Sequence, residues 1–141
     1  MEKLDSPALK SFGHILSHAV KGKFSIQRPR KIVLIVNPLV PGLIFLSGQT
    51  PTDETGTVVA GGIQEHTAQC IHNLGKVLEA AGSSWEKVVK VNVYLDDMNN
   101  FKAMNEVYEK LLPNPKPART CIQAGHLPNS VDVEIEAIAT Y

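Results

Sequence analysis

The sequence predicts an α+β domain in which a mixed sheet carries two helices on one face. Two segments have apolar residues at helical spacing, several others alternate apolar and polar residues, and the chain order is strands, helix, strand, helix, two strands. With 141 residues, the chain has the usual length of one compact domain. We therefore expect one domain over residues 1–141. Self-association would then cover the other face of the sheet.

The first helix is predicted from Ile63 to Ala81. Its buried side is expected to contain the residues at helical spacing, Thr67, Cys70, Ile71, Leu74, Val77, Leu78 and Ala81. Gly82 follows as a stop signal. Gly75 costs roughly 1 kcal/mol relative to alanine inside a helix, which indicates close packing at that point.

A second helix is predicted after the strand VVKVNVYL, which covers residues 88–95. The strand should bury Val89, Val91, Val93 and Leu95. The helix should bury Phe101, Met104, Val107, Tyr108, Leu111 and Leu112. Pro113 and Pro115 are expected to end it.

The remaining strands are predicted at residues 43–47, 118–124 and 131–140, with a long loop over residues 48–62. The last strand should bury Val133, Ile135, Ala137 and Ala139. Its opposite side carries Asp132, Glu134, Glu136 and Ile138. Without further information, these acids indicate an exposed polar face.

Composition argues against several functional classes. The 14 basic and 14 acidic residues cancel, so the chain as a whole has no electrostatic attraction to nucleic acid or anionic membranes; only residues 21–31 are locally basic. Cys70 and Cys121 suggest free thiols in a reducing compartment, and no His or Cys group has metal-ligand spacing. The acidic N-terminus and the absence of a long apolar run indicate the cytoplasm and no membrane association, with mitochondrial import left open.

Several motifs together resemble one known family. The motifs are IFLSGQTPTD at residues 44–53, NLGKVLEAAGSS at 73–84, VVKVNVYLDDMNNFKAMNEVY at 88–108, PART at 117–120 and VEIEAIA at 133–139. In this order and spacing they resemble the Rid family, also called YjgF or L-PSP. The resemblance implies a chorismate-mutase-like fold assembled as a homotrimer with clefts between subunits. It also implies hydrolysis of 2-aminoacrylate and 2-aminocrotonate, or their imine tautomers, to 2-oxo acids and ammonia, without cofactor or metal.

The resemblance also assigns residues to the cleft. Arg119 in PART matches the family's carboxylate-binding arginine, and a planar guanidinium suits that task because it donates two parallel hydrogen bonds. Glu134 matches a residue near the attacking water, where an acid–base group is needed. Substrate-binding positions are matched by Ser47, Gly48, Asn105 and Cys121. Cys121 is not expected to act as a nucleophile, because no base is implied beside it.

Residues 1–42 depart from the family pattern. GHILSHAV at residues 13–20 stands for the family's first strand segment, with Leu16 where the family has a pocket tyrosine. An insertion follows around residues 21–40. Within it, KIVLIV at residues 31–36 has high β-propensity and could pair with a free sheet edge. Loss of the tyrosine would remove one wall and one hydroxyl of the pocket.

Two other functions compete with deamination. One is RNA cleavage or translation inhibition, as the L-PSP name implies for some relatives; only the basic stretch at residues 21–31 favours it. The other is a non-catalytic trimer that binds 2-oxo acids or regulates a partner, which would use Arg119 without turnover. The residues do not identify the preferred side chain of the substrate or the enzyme that supplies it.

Overall fold

The computed structural model describes residues 2–3, 20–21 and 42–141. Its strands are β1 (Glu2–Lys3), β2 (Val20–Lys21), β3 (Leu43–Gln49), β4 (Val88–Leu95), β5 (Ala118–Gln123) and β6 (Val133–Thr140). Its helices are α1 (Ile63–Ala80) and α2 (Phe101–Leu111), with short 3₁₀ turns at Trp85–Lys87, Met98–Asn100 and Pro128–Ser130.

The main sheet has the strand order β3-β6-β4-β5. β6 pairs antiparallel with both β3 and β4, while β4 and β5 are parallel. The connection between the parallel strands contains α2, as a parallel pair requires. β1 and β2 form a separate antiparallel pair. The predicted mixed sheet with two helices is confirmed.

One face of the sheet and the two helices enclose the hydrophobic core. All seven residues of the predicted α1 stripe are buried, together with Ile44 and Leu46 of β3 and the four predicted apolar residues of β6. An added Cβ on Gly75 would lie 3.3 Å from the Trp85 indole nitrogen, so the predicted close approach at this glycine is also confirmed. Fully burying one such aliphatic side chain contributes about 1.5–3 kcal/mol.

The prediction for β4 was wrong at one position. Val89 is 47% exposed, and Val88 is buried instead. The reason is a register shift between Val88 and Lys90 in the pairing with β6, which breaks the alternation that the sequence pattern assumes. From Val91 onward the predicted residues are buried.

The prediction for α2 was wrong at its two ends. Phe101 and Leu111 are exposed by 36% and 46%, and Val107 is only partly buried. Met104, Tyr108 and Leu112 form the buried side. α2 packs on α1, and part of its surface meets Arg119 of the edge strand β5, so a narrower strip of the helix faces the core.

Three predictions lie outside the described residues. They are the substitution at Leu16, the insertion around residues 21–40 and the edge strand at residues 31–36. Within the described part of the chain, no helix is long and apolar enough to cross a membrane. Among the same residues, no three His, Cys, Asp or Glu side chains lie close enough together to hold a metal ion.

Candidate active site

Arg119 lies on the edge strand β5, on the side of the sheet that carries the helices. Its register partner in the parallel pairing is Val91, a core residue, so both side chains point toward the helices. The guanidinium Nη1 donates a hydrogen bond of 2.5 Å to Oδ1 of Asn105. The guanidinium carbon lies 4.7 Å from the ring centre of Tyr108 and 5.6 Å from that of Phe101.

The three groups that hold Arg119 come from one face of α2. Phe101, Asn105 and Tyr108 are spaced four and three residues apart, which places them on adjacent turns of the helix. All three are uncharged, and among the described residues no carboxylate forms an ion pair with Arg119. The guanidinium is therefore oriented without being neutralised, which is what binding of a carboxylate requires.

Cys121 lies next to Arg119 on the same side of β5. Its register partner is Val93, and it packs against the core while remaining partly exposed. Burial raises the pKa of the Cys121 thiol, and the nearby Arg119 charge only partly opposes this effect. A thiol with a raised pKa contains less of the nucleophilic thiolate form at neutral pH.

Tyr108 belongs to this site as well as to the core. The sequence pattern predicts only its burial, and it is 4% exposed. Its hydroxyl oxygen is also buried and has no hydrogen-bond partner among the described residues. Burial raises the pKa of Tyr108, opposed by the Arg119 charge. We call Phe101, Asn105, Tyr108, Arg119 and Cys121 the arginine half-site.

Glu134 lies on the opposite, polar face of the sheet. It is opposite Tyr94 in the pairing of β6 with β4 and is partly buried. Its carboxylate lies against the backbone of Gly48, since a Cβ added to Gly48 would stand 1.8 Å from Oε1 of Glu134. A glycine at this position therefore gives the carboxylate its space. We call Ser47, Gly48 and Glu134 the glutamate half-site.

An irregularity in β3 shapes this half-site. The register with β6 shifts between Leu46 and Gln49, where Ser47 and Gly48 interrupt the regular pairing. The buried side chain of Gln49 donates hydrogen bonds to the carbonyl oxygens of Ser47 (3.1 Å) and Gly48 (3.2 Å). Gln49 thus stabilises the backbone that faces Glu134. Although SGQ is quoted among the motifs, the sequence alone assigns no task to its glutamine.

The environment of Glu134 favours its protonated form. Burial raises the pKa of Glu134, and the negative charge of Glu136, two residues along the same strand, raises it further. A carboxyl with a raised pKa can exchange a proton near neutral pH more readily than an ordinary surface glutamate. This property suits an acid–base group.

The described chain does not bring Arg119 and Glu134 together. Arg119 is on the helix side of the sheet at its β5 edge, whereas Glu134 is on the polar side of the central strand β6. Arg119 is hydrogen-bonded to Asn105 and lies beside Cys121 on β5, whereas Glu134 lies against Gly48. Each of these two groups carries half of the chemistry expected at the cleft.

His66 and Asp132 form a pair outside the two half-sites. Nδ1 of His66 lies 2.7 Å from a carboxylate oxygen of Asp132, and Nε2 lies 3.0 Å from the carbonyl oxygen of Val59. With both ring nitrogens occupied, His66 has no free nitrogen for proton transfer to a ligand. The pair connects α1 with the residues before β6 and with the loop before α1.

The fold is that of a small α+β protein with a mixed four-stranded sheet and two helices on one face. The family model described as Endoribonuclease L-PSP matches residues 34–141. The chain is 54% identical over 101 residues to Protein mmf2, mitochondrial, of Schizosaccharomyces pombe, covering 70% of this chain and 79% of the relative.

Two further comparisons agree. The chain is 40% identical over 102 residues to the Homo sapiens 2-iminobutanoate/2-iminopropanoate deaminase, covering 72% of this chain and 74% of that protein. The crystal structure of RidA from an Antarctic Psychrobacter superposes with a TM-score of 0.81 at 30% identity, and covers 100% of both chains. This chain therefore belongs to the Rid (YjgF/L-PSP) family.

Proposed function

We propose that the chain hydrolyses 2-imino acids, such as 2-iminobutanoate and 2-iminopropanoate, to 2-oxo acids and ammonia. The observation that carries the proposal is the Arg119 guanidinium, which is oriented by uncharged groups and has no ion-pair partner among the described residues. Such a group binds the substrate carboxylate with little rearrangement. The name of the human relative supports the same reaction.

In this reaction, Arg119 holds the carboxylate while water attacks the adjacent C=N carbon. The water oxygen bonds to that carbon, the C=N π electrons move to the nitrogen of the protonated imine, and Glu134 accepts a proton from the water. Glu134 then donates that proton to the amine nitrogen. As the C–N bond breaks, the hydroxyl oxygen forms the carbonyl and its proton returns to Glu134. The products are a 2-oxo acid and ammonia, which takes this proton from Glu134 and leaves as ammonium, so that the carboxylate is restored.

Two subunits complete the site in this proposal. Because the two half-sites lie on opposite faces of one sheet, a single chain cannot present both to one small substrate. A ring of copies can place the β5 edge of one chain beside the polar sheet face of the next, so that each contact generates one cleft. The homotrimer that the family resemblance implies has this symmetry, with three equivalent clefts.

A coupled assay tests the activity. A pyridoxal-phosphate-dependent threonine dehydratase generates the imine, and appearance of 2-oxobutanoate is followed with and without this protein. We expect acceleration that falls about 10- to 100-fold in Arg119→Ala, since a charge-assisted hydrogen bond of about 1.5–3 kcal/mol is lost. Lys87→Ala, which removes an exposed cation on a 3₁₀ turn, should change nothing. Absence of acceleration by folded, assembled protein would refute the proposal.

The two competing functions give other outcomes in the same preparation. A non-catalytic binder would bind 2-oxobutanoate in an Arg119-dependent manner without accelerating hydrolysis. An endoribonuclease, the activity in the description of the family model, would cleave labelled RNA.

The location of the protein can be tested with a C-terminally tagged chain. It would distinguish the cytoplasm, expected from the acidic N-terminus, from the mitochondrion named for the fission yeast relative.

A further inference from the structure

Next to the glutamate half-site, a hydrogen-bonded network connects β4 with β6. Oε1 of Glu136 accepts a hydrogen bond of 2.8 Å from the Asn92 amide and one of 2.9 Å from the Tyr94 hydroxyl. Both donors lie on β4, and Asn92 is the register partner of Glu136. Two donors that converge on one oxygen fix the position of the Glu136 carboxylate on the sheet.

Glu134 lies beside this network on the same face. Tyr94 is its register partner, so the residue that donates to Glu136 also stands opposite Glu134. On its other side Glu134 meets the Gly48 backbone of β3, which confines its carboxylate on that side. The two acids are thus kept close on the sheet although their charges repel.

The other titratable groups near Glu134 either have partners of their own or are uncharged. Asp132 precedes it on the chain and is paired with His66. Lys90, on the same face of β4, donates to the Thr120 hydroxyl on β5, away from β6. Cys70 approaches through the core from α1, and burial raises the pKa of its thiol well above its usual value, so it is uncharged. Glu136 is therefore the main fixed charge beside Glu134.

We infer that Glu136, fixed by Asn92 and Tyr94, is a positioning residue that tunes Glu134 for proton transfer. Its negative charge raises the affinity of the Glu134 carboxylate for a proton, which makes Glu134 a stronger base toward the attacking water. The inference rests on the proposed function, in which Glu134 performs this transfer. It gives the second acid of EIE a task, whereas the sequence pattern indicates only a solvated face.

The test is a titration of glutamate side-chain carboxyl carbons by ¹³C NMR on the full-length, assembled protein. Glu134→Gln identifies the Glu134 signal. In Glu136→Gln, whose amide oxygen can still accept from Asn92 and Tyr94, the Glu134 midpoint should move to lower pH. Glu136→Asp keeps the charge, so its Glu134 midpoint should lie closer to the wild-type value than that of Glu136→Gln does. Glu79→Gln, an exposed change on α1, should leave it unaltered.

The same shift should appear in catalysis. The acidic limb of the pH profile of kcat/KM should move to lower pH in Glu136→Gln, with a fall in kcat and little change in KM, since substrate carboxylate binding by Arg119 is untouched. A folded Glu136→Gln protein whose Glu134 midpoint is unchanged overturns the inference. A wild-type protein without deaminase activity at any pH overturns the proposed function instead, and the NMR titration reports independently of that result.

Discussion

The arginine half-site and the glutamate half-site treat charge in opposite ways. Arg119 is a cation surrounded by an amide and two aromatic rings, all uncharged. Glu134 is an acid held next to a second acid, in a partly buried position. In the proposed reaction, the first arrangement preserves a charge for the substrate carboxylate to neutralise, and the second raises the pKa of the group that gains and loses a proton. Binding and proton transfer therefore impose different local electrostatics within one small sheet.

The largest effect is expected from giving Arg119 a charged partner. Asn105→Asp places a carboxylate where the amide oxygen now accepts the hydrogen bond, so it would compete with the substrate carboxylate for the guanidinium. We expect kcat/KM to fall about 100-fold, mainly through KM, while stability stays within about 1 kcal/mol. Asn105→Ala serves as the control.

Asn105→Ala removes the orienting hydrogen bond but adds no charge, so its loss should be smaller, about tenfold. Equal losses in the two variants would show that the uncharged character of the partner does not matter. Circular dichroism and size-exclusion chromatography of both variants would verify that fold and assembly are retained.

A smaller loss is expected from filling the space beside Glu134. Gly48→Ala puts a methyl group where the Glu134 carboxylate now lies, so the carboxylate must move. We expect kcat to fall at least about tenfold, since displacement of a catalytic group by about an ångström or more weakens its alignment. Gly125→Ala is the matched control because an added Cβ there meets nothing within 4 Å. Full activity in Gly48→Ala would show that the contact with the Gly48 backbone does not position the Glu134 carboxylate for catalysis.

Tyr108→Phe should raise stability. The change removes a buried hydroxyl that has no partner among the described residues and keeps the ring over Arg119. Urea denaturation at fixed protein concentration should show a gain of up to about 1 kcal/mol, with activity within about twofold. Tyr141→Phe should instead be neutral or slightly destabilising, because that hydroxyl accepts a hydrogen bond from Gly42. A clear loss of stability in Tyr108→Phe would mean that the hydroxyl has a partner in the assembled protein.

The smallest effect concerns the pH dependence of stability. Because the pKa of Glu134 is raised in the folded state, folding is penalised once pH exceeds the ordinary glutamate pKa, and the penalty is complete above the folded pKa. Glu134→Gln should therefore stabilise the protein at pH 7 by about 0.5 kcal/mol, limited by solvent screening of a half-buried group. Below the ordinary glutamate pKa the gain should vanish. A stability gain that persists below the ordinary glutamate pKa would show that it comes from packing and not from removal of the charge.

The sequence predicts the core better than the site. Burial periodicity identifies the α1 stripe and β6 because regular elements repeat at fixed spacing. It misplaces Val89 because a bulge is a local break in that spacing, set by pairing with a distant strand. It also overestimates the burial of Phe101, whose position beside Arg119 depends on how α2 lies along the sheet edge.

For the site, motifs suggest Arg119, Asn105, Gly48 and Glu134 through family resemblance, but not how they are arranged. The contact between Arg119 and Asn105 and the separation of Arg119 from Glu134 follow from strand register, which the linear pattern does not specify. Alternation does place Glu136 beside Glu134. The donors on β4 become apparent only when the two strands are paired.

The central claim is that one subunit supplies Arg119 and another supplies Glu134 to each cleft. It can be tested by coexpressing Arg119→Ala and Glu134→Gln chains with different affinity tags and isolating mixed trimers through both tags. Each variant alone should keep at most about a tenth of the wild-type activity. Every mixed trimer contains one cleft with both intact residues, so its activity should be about one third of that of the wild type. Mixed trimers that are no more active than the single variants would contradict the claim, since they would place both residues of a working site in the same chain.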